Sequence, residues 1–153
     1  MKKSNSVLKL MLISLIILSG CIHEETNKRD HLVLNGESEN WNLNGYEVEI
    51  SAENFKAGNG ILQMKNQNEY KSDFFQFRTY AAISNQDTLV HSGSVSGDSI
   101  NIAEKSIGTI EGGAYLNEEG VQITLGDISE IYMIVEWWDT SEKENVKERI
   151  DLY

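Results

Sequence analysis

Proline is missing from all 153 residues, and cysteine occurs once, at Cys21. A chain without proline places no gap in a β ladder, because every residue keeps an N–H to donate. A single cysteine excludes an intrachain disulfide and any zinc site built on a cysteine pair. Basic residues are scarce: 13 Lys and Arg stand against 24 Asp and Glu, for a net charge of −11. That balance excludes nucleic acid or anionic headgroups as partners held by a basic patch. No internal repeat and no low-complexity tract interrupts the chain. No apolar run reaches the roughly 20 residues that a membrane-spanning helix needs.

What is present begins with a targeting pattern. Lys2 and Lys3 precede an apolar stretch from Val7 to Leu18 that only Lys9 and Ser14 interrupt. Small residues then lead to the cysteine, as expected of a secretory signal of residues 1–20. The tetrapeptide Leu18-Ser19-Gly20-Cys21 resembles the lipobox of bacterial lipoproteins. That resemblance implies cleavage before Cys21 and a diacylglyceryl group on its thiol, a role suited to a strong sulfur nucleophile. No other cofactor is expected. Two acyl chains anchor stably where one holds marginally, so the expected address is the extracytoplasmic face of the cell membrane. Cleavage removes Lys2, Lys3 and Lys9 and no acid, leaving 10 basic and 24 acidic residues and a net charge of −14.

After the lipidated cysteine, residues 21–35 read as a tether, polar at first, with Leu32, Val33 and Leu34 as the point where a strand begins. Residues 36–153 read as a single domain. In YEVEIS, Tyr46, Val48 and Ile50 alternate with polar neighbours, the period of a half-buried strand. In DFFQFRTYAAI, Phe75, Phe77, Ala81 and Ile83 share one face, with Gln76, Arg78 and Tyr80 on the other. The stretch ISEIYMIVEWW places Ile131, Met133, Val135 and Trp137 on one face and Tyr132, Ile134, Glu136 and Trp138 on the other. Apolar residues on both faces point to a central strand. VKERIDLY then returns as its hairpin partner across the charged loop DTSEKEN. Turns are expected at Asn59-Gly60 and at NQDT (85–88), and a short helical turn around Asp127–Glu130 or Ile102–Ser106. Seven to nine short strands predict an antiparallel β-sandwich, immunoglobulin-like or C2-like, with a small β-barrel as the alternative.

The sequence offers little catalytic chemistry. GSVSG (93–97) resembles a G-x-S-x-G elbow, but Val95 occupies the nucleophile position, and a flexible turn is the better reading. His23, His31 and His91 are too scattered to fix zinc. GESEN (Glu37, Glu39, Asn40) and DTSEKEN (Asp139, Glu142, Glu144) carry oxygen ligands without the spacing of a calcium loop. Gly112 and Gly113 beside Glu111 suggest a bulge or a close backbone approach rather than a catalytic acid. Trp137 is expected in the core. Trp138 and Trp41 together are the candidates for an exposed aromatic surface that contacts a sugar or peptide.

GESENW (36–41) and the terminal IYMIVEWWDTSEKENVKERIDLY resemble small lipoproteins of Bacillus-like bacteria. The resemblance implies a β-rich body on a lipid anchor and transfers no catalytic or binding residue. The expectation is a non-enzymatic lipoprotein that binds a protein or cell-wall partner. A carbohydrate- or calcium-binding module is the alternative, with an envelope hydrolase behind it.

Overall fold

The computed structural model describes residues 29–153, so the signal, Cys21 and His23 lie outside the described residues. Ten strands run in order: β1 (Asp30–Glu37), β2 (Trp41–Ile50), β3 (Asn54–Gly58), β4 (Ile61–Met64), β5 (Lys71–Ile83), β6 (Gln86–Asn101), β7 (Glu104–Ser106), β8 (Ile110–Gly113), β9 (Ile128–Asp139) and β10 (Glu144–Asp151). They form two antiparallel sheets, one of six strands and one of four. The fold is a β-sandwich, as the alternation predicts. β1 starts at Asp30, ahead of the boundary drawn at residue 36: His31–Leu34 pair with Tyr46–Glu49, so part of the expected tether is a strand.

β2 organises the six-stranded sheet. Tyr46–Ile50 and Asn42–Leu43 pair with β1 on one side. On the other, Trp41–Asn44 pair with β4 and Glu47–Ile50 pair with β3. The sheet therefore divides into two arms, β4–β7 and β3–β8. The division falls at Gly45, whose φ of +67° suits glycine, and whose N–H donates to Asn35 Oδ1 at 2.8 Å. The pairing register slips at the same place, between Leu34 and Gly36.

The four-stranded sheet has the order β10-β9-β5-β6, with β9 central to its two neighbours as expected. β5 and β6 meet through Ser84 and Asn85, both with positive φ, a two-residue hairpin turn. The turn thus sits one residue before the expected NQDT, and Gln86 already belongs to β6. GSVSG is also strand rather than flexible turn, because Gly93–Ser96 pair with Phe77–Phe74. Its glycine has a packing reason: a Cβ on Gly93 would lie 2.5 Å from Phe77 Cε1. The helical turn is a 3-10 turn at Leu125–Asp127, where Asp127 Oδ2 accepts from the Thr124 N–H and hydroxyl. The other expected turn is β7. Gly112 and Gly113 are exposed, and nothing lies within 4 Å of a Cβ built on either, so they mark no close approach. Glu111 accepts a hydrogen bond from Asn54 Nδ2 across the β3–β8 pair.

Inner faces of the two sheets meet in one apolar core. Ile131, Met133, Val135 and Trp137 are all buried, the face read from the sequence. Trp41 packs at its centre, with ring centroids 5.5 Å from Phe75 and 5.6 Å from Trp137. Between the sheets, Glu148 of β10 accepts from the Asn40 N–H at 2.9 Å and from the side chains of Ser38 and Asn40.

Candidate binding face

The outer face of the four-stranded sheet carries the functional candidates. Side chains paired directly across strands share a face, which arranges this surface in rows. Ser96, Phe74, Trp138 and Asn145 make the first; Ser94, Gln76, Glu136 and Lys147 the second; Ser92, Arg78, Ile134 and Arg149 the third. At the far end Tyr80 stacks on Tyr132 with centroids 5.3 Å apart, and the Arg149 guanidinium lies 3.7 Å above the Tyr132 ring. That cation–π contact closes the tyrosine end.

The first row stays open. Asp73, Phe74, Glu136, Trp138 and Asn145 line a cleft of about 340 Å³, near the lower bound of small-molecule sites. Its shape depends on a β-bulge in β6: between the pairs Ser72–Ile100 and Phe74–Ser96, Asp73 alone stands opposite the three residues Gly97–Ser99. Bulges re-aim side chains in this way beside binding sites. Buried Ser72 fixes the two aromatics from below. Its hydroxyl lies 2.7 Å from Phe74 O and 2.8 Å from Trp138 O, and its oxygen accepts the Phe74 N–H. Asp73 Oδ1 accepts the Ser99 N–H at 2.9 Å, and Glu136 lies 3.4 Å from Lys147 Nζ.

Of the two expected aromatics, one lies at this surface. Trp138 is partly exposed in the cleft, whereas Trp41 is wholly buried and belongs to the other sheet. Phe74 takes its place as the second aromatic. The signal for it was the adjacent pair Phe74-Phe75, of which one must face outward on a regular strand. Asp73 and Asn145 carried no sequence signal, since only the bulge and the hairpin register bring them to Trp138.

The other candidates are tied up elsewhere. Glu37 ion-pairs with Lys65 at 2.9 Å, which lowers its pKa. Asp139 accepts from the Ser141 hydroxyl and from the N–H groups of Ser141 and Glu142, partners that hold its carboxyl below the usual range. Among the described residues no three His, Cys, Asp or Glu side chains are grouped to hold a metal ion.

His91 is buried inside the sandwich, with Nδ1 3.0 Å from the Tyr46 hydroxyl and Phe77 edge-on to its ring. With the ring hydrogen on Nε2, the phenol donates to Nδ1. Burial lowers the His91 pKa and raises that of Tyr46. The unfolded chain therefore binds a proton more readily than the fold does. His91's contribution is complete above the unfolded value of about 6.5 and is lost as pH falls from there toward the lowered folded value. Urea midpoints for wild type and His91→Gln should diverge in pH sensitivity between about pH 7 and 5. Parallel curves would show that His91 does not titrate with unfolding.

Fold and cleft together define a β-sandwich with a mixed aromatic and polar cleft on a sheet face. No family model matches the chain, and no curated protein and no solved structure matches it.

Proposed function

We propose that the chain is a lipid-anchored binding protein of the cell envelope, held through Cys21 at the extracytoplasmic face of the membrane. It engages a protein or cell-wall partner with the outer face of its four-stranded sheet. The observation that carries this reading is the cleft at Trp138, where a partly exposed tryptophan, a phenylalanine and three polar side chains converge on one open surface. The anchor rests on Leu18-Ser19-Gly20-Cys21.

The cleft also holds two carboxylates, the feature that a hydrolase reading requires. Glycoside cleavage needs one carboxyl kept as an acid in an apolar setting. Here Glu136 faces the Lys147 ammonium and Asp73 accepts an amide N–H. Each carboxyl group already has a neighbour within the sheet, an arrangement that supports binding rather than cleavage.

A photo-crosslinking residue at exposed Ser94, on this face, should capture an envelope component in living cells. The same residue at exposed Gln63, in β4 of the other sheet, should not. In the Cys21→Ser variant the protein should leave the membrane fraction. Equal capture from both positions would overturn the assignment of the face. Full retention of the serine variant in the membrane would overturn the anchor.

A further inference from the structure

The geometry points to the class of ligand: we infer that the Trp138 cleft takes a non-anionic pyranose chain, a glycan, with its apolar ring face on the aromatics. This rests on the binding face proposed above and narrows what that face holds. Three observations carry it.

The first is backbone saturation. The aromatics of the cleft stand on β5 and β9, the two inner strands of the sheet, each flanked by a neighbour on both sides, whereas the sheet's edges are β10 and β6. A peptide adding itself as a strand needs a free edge, which this sheet offers only at β10 and β6, beside the aromatics and not over them. Recognition has to come from side chains alone.

The second is the side-chain set. The π faces of Trp138 and Phe74 carry negative charge density that suits the C–H-bearing face of a sugar ring. Around them, Asp73 and Glu136 accept hydrogen bonds from hydroxyls, and the Asn145 amide both donates and accepts. Exposed Ser92, Ser94 and Ser96 continue this hydroxyl-compatible surface along β6. Four strands about 4.8 Å apart make a platform roughly 15 Å wide, enough for more than one ring.

The third is charge. The cleft is lined by two carboxylates and by no basic side chain among the described residues, on a chain of net charge −11. A uronate or phosphate polymer would meet both carboxylates, and the nearest cation, Lys147, already faces Glu136 at 3.4 Å.

The test uses the detergent-solubilised full chain. Probes are the β-1,4 tetrasaccharides of N-acetylglucosamine and of glucose, tetragalacturonate as the anionic control, and trilysine as the basic-peptide control. Titration is followed by calorimetry and by tryptophan fluorescence, in which Trp138 is the tryptophan that ligand can reach. At least one neutral tetrasaccharide should bind with a Kd below about 10 mM and shift the emission. Trp138→Ala should weaken that binding about tenfold or more. Asn145→Ala, a change at an exposed position, should weaken it severalfold with the fold intact. Near-ultraviolet circular dichroism from Trp41 and Trp137 checks folding of both variants. No binding by either neutral sugar, equal or tighter binding of tetragalacturonate, displacement of the bound sugar by trilysine, or unchanged affinity in both variants would each overturn the inference. If the sugars fail while Ser94 still crosslinks a protein, the face survives and the glycan class falls; if crosslinking fails as well, both fall.

Discussion

Replacing Trp41 by alanine is expected to remove about 3 kcal/mol of stability, a large part of the 5–15 kcal/mol typical of such a domain. The side chain is wholly buried, and its ring meets Phe75 and Trp137 in tilted and edge-on contacts at the junction of the two sheets. Truncating a buried aromatic commonly costs about 3–5 kcal/mol through lost transfer energy and the cavity left behind. One feature places this site at the lower end. The Trp41 Nε1–H is buried with no acceptor among the described residues, and removing an unsatisfied donor returns about 1 kcal/mol. Trp41→Phe separates the two contributions, since it retains an aromatic ring and deletes the N–H; its cost should stay below about 1.5 kcal/mol. Urea unfolding at constant m-value reads both. An alanine variant within about 0.5 kcal/mol of wild type, as a surface change would be, would mean that Trp41 does not sit between the sheets.

Trp41 also shows where sequence reading succeeds and where it stops. Alternation in YEVEIS runs Tyr46, Val48, Ile50; continued backward, it turns Asn44 and Asn42 inward and Trp41 outward. The strand does not keep that phase. At Gly45 the backbone takes a positive φ and the register slips, so Trp41 and Leu43 face the core together with Tyr46. A one-residue slip moves every side chain beyond it to the opposite face, and alternation carries no marker of the slip itself. The reverse holds for β9, which has no bulge along its pairing with β10: its inner face is the one that periodicity assigns.

The cleft repeats the lesson at a second irregularity. Trp138 was legible as an outward residue at a strand end. Its companions were not, because Asp73 is placed by the bulge of Gly97–Ser99 opposite it in β6, and Asn145 by the register of the β9–β10 hairpin. Serine and glycine in HSGSVSG carry strong local turn preferences. Ladder pairing to β5 overrides them, and the small residues then serve a long strand packed closely on Phe77. Local composition thus announced the sandwich and the central strand, whereas the site was built at the places where regular pairing breaks.

Gly58→Ala should destabilise the fold by about 3 kcal/mol or more, because strain and overlap act there together. Gly58 ends β3 at φ +147°, a conformation that side chains rarely adopt. A Cβ would lie 2.3 Å from the Gly108 carbonyl oxygen and 2.5 Å from Thr109 Cα. Both are backbone atoms of the link between β7 and β8, so no rotamer change relieves the overlap. The neighbourhood resists a shift as well: Thr109 Oγ1 donates to Asn59 Oδ1 at 2.7 Å, and the Ile107 N–H donates to Gly60 O at 2.8 Å. Two other glycines divide the effect into parts. Gly45→Ala meets the positive φ with nothing within 4 Å, and should cost the strain alone, about 1 kcal/mol. Gly112→Ala meets neither condition and should fall within about 0.5 kcal/mol of wild type. Chemical denaturation of the three variants should therefore rank Gly58 well above Gly45, and Gly45 above Gly112. If Gly58→Ala proves as mild as Gly112→Ala, the β3 corner and the β7–β8 link do not cross in contact, and the two arms of the larger sheet are not held together there.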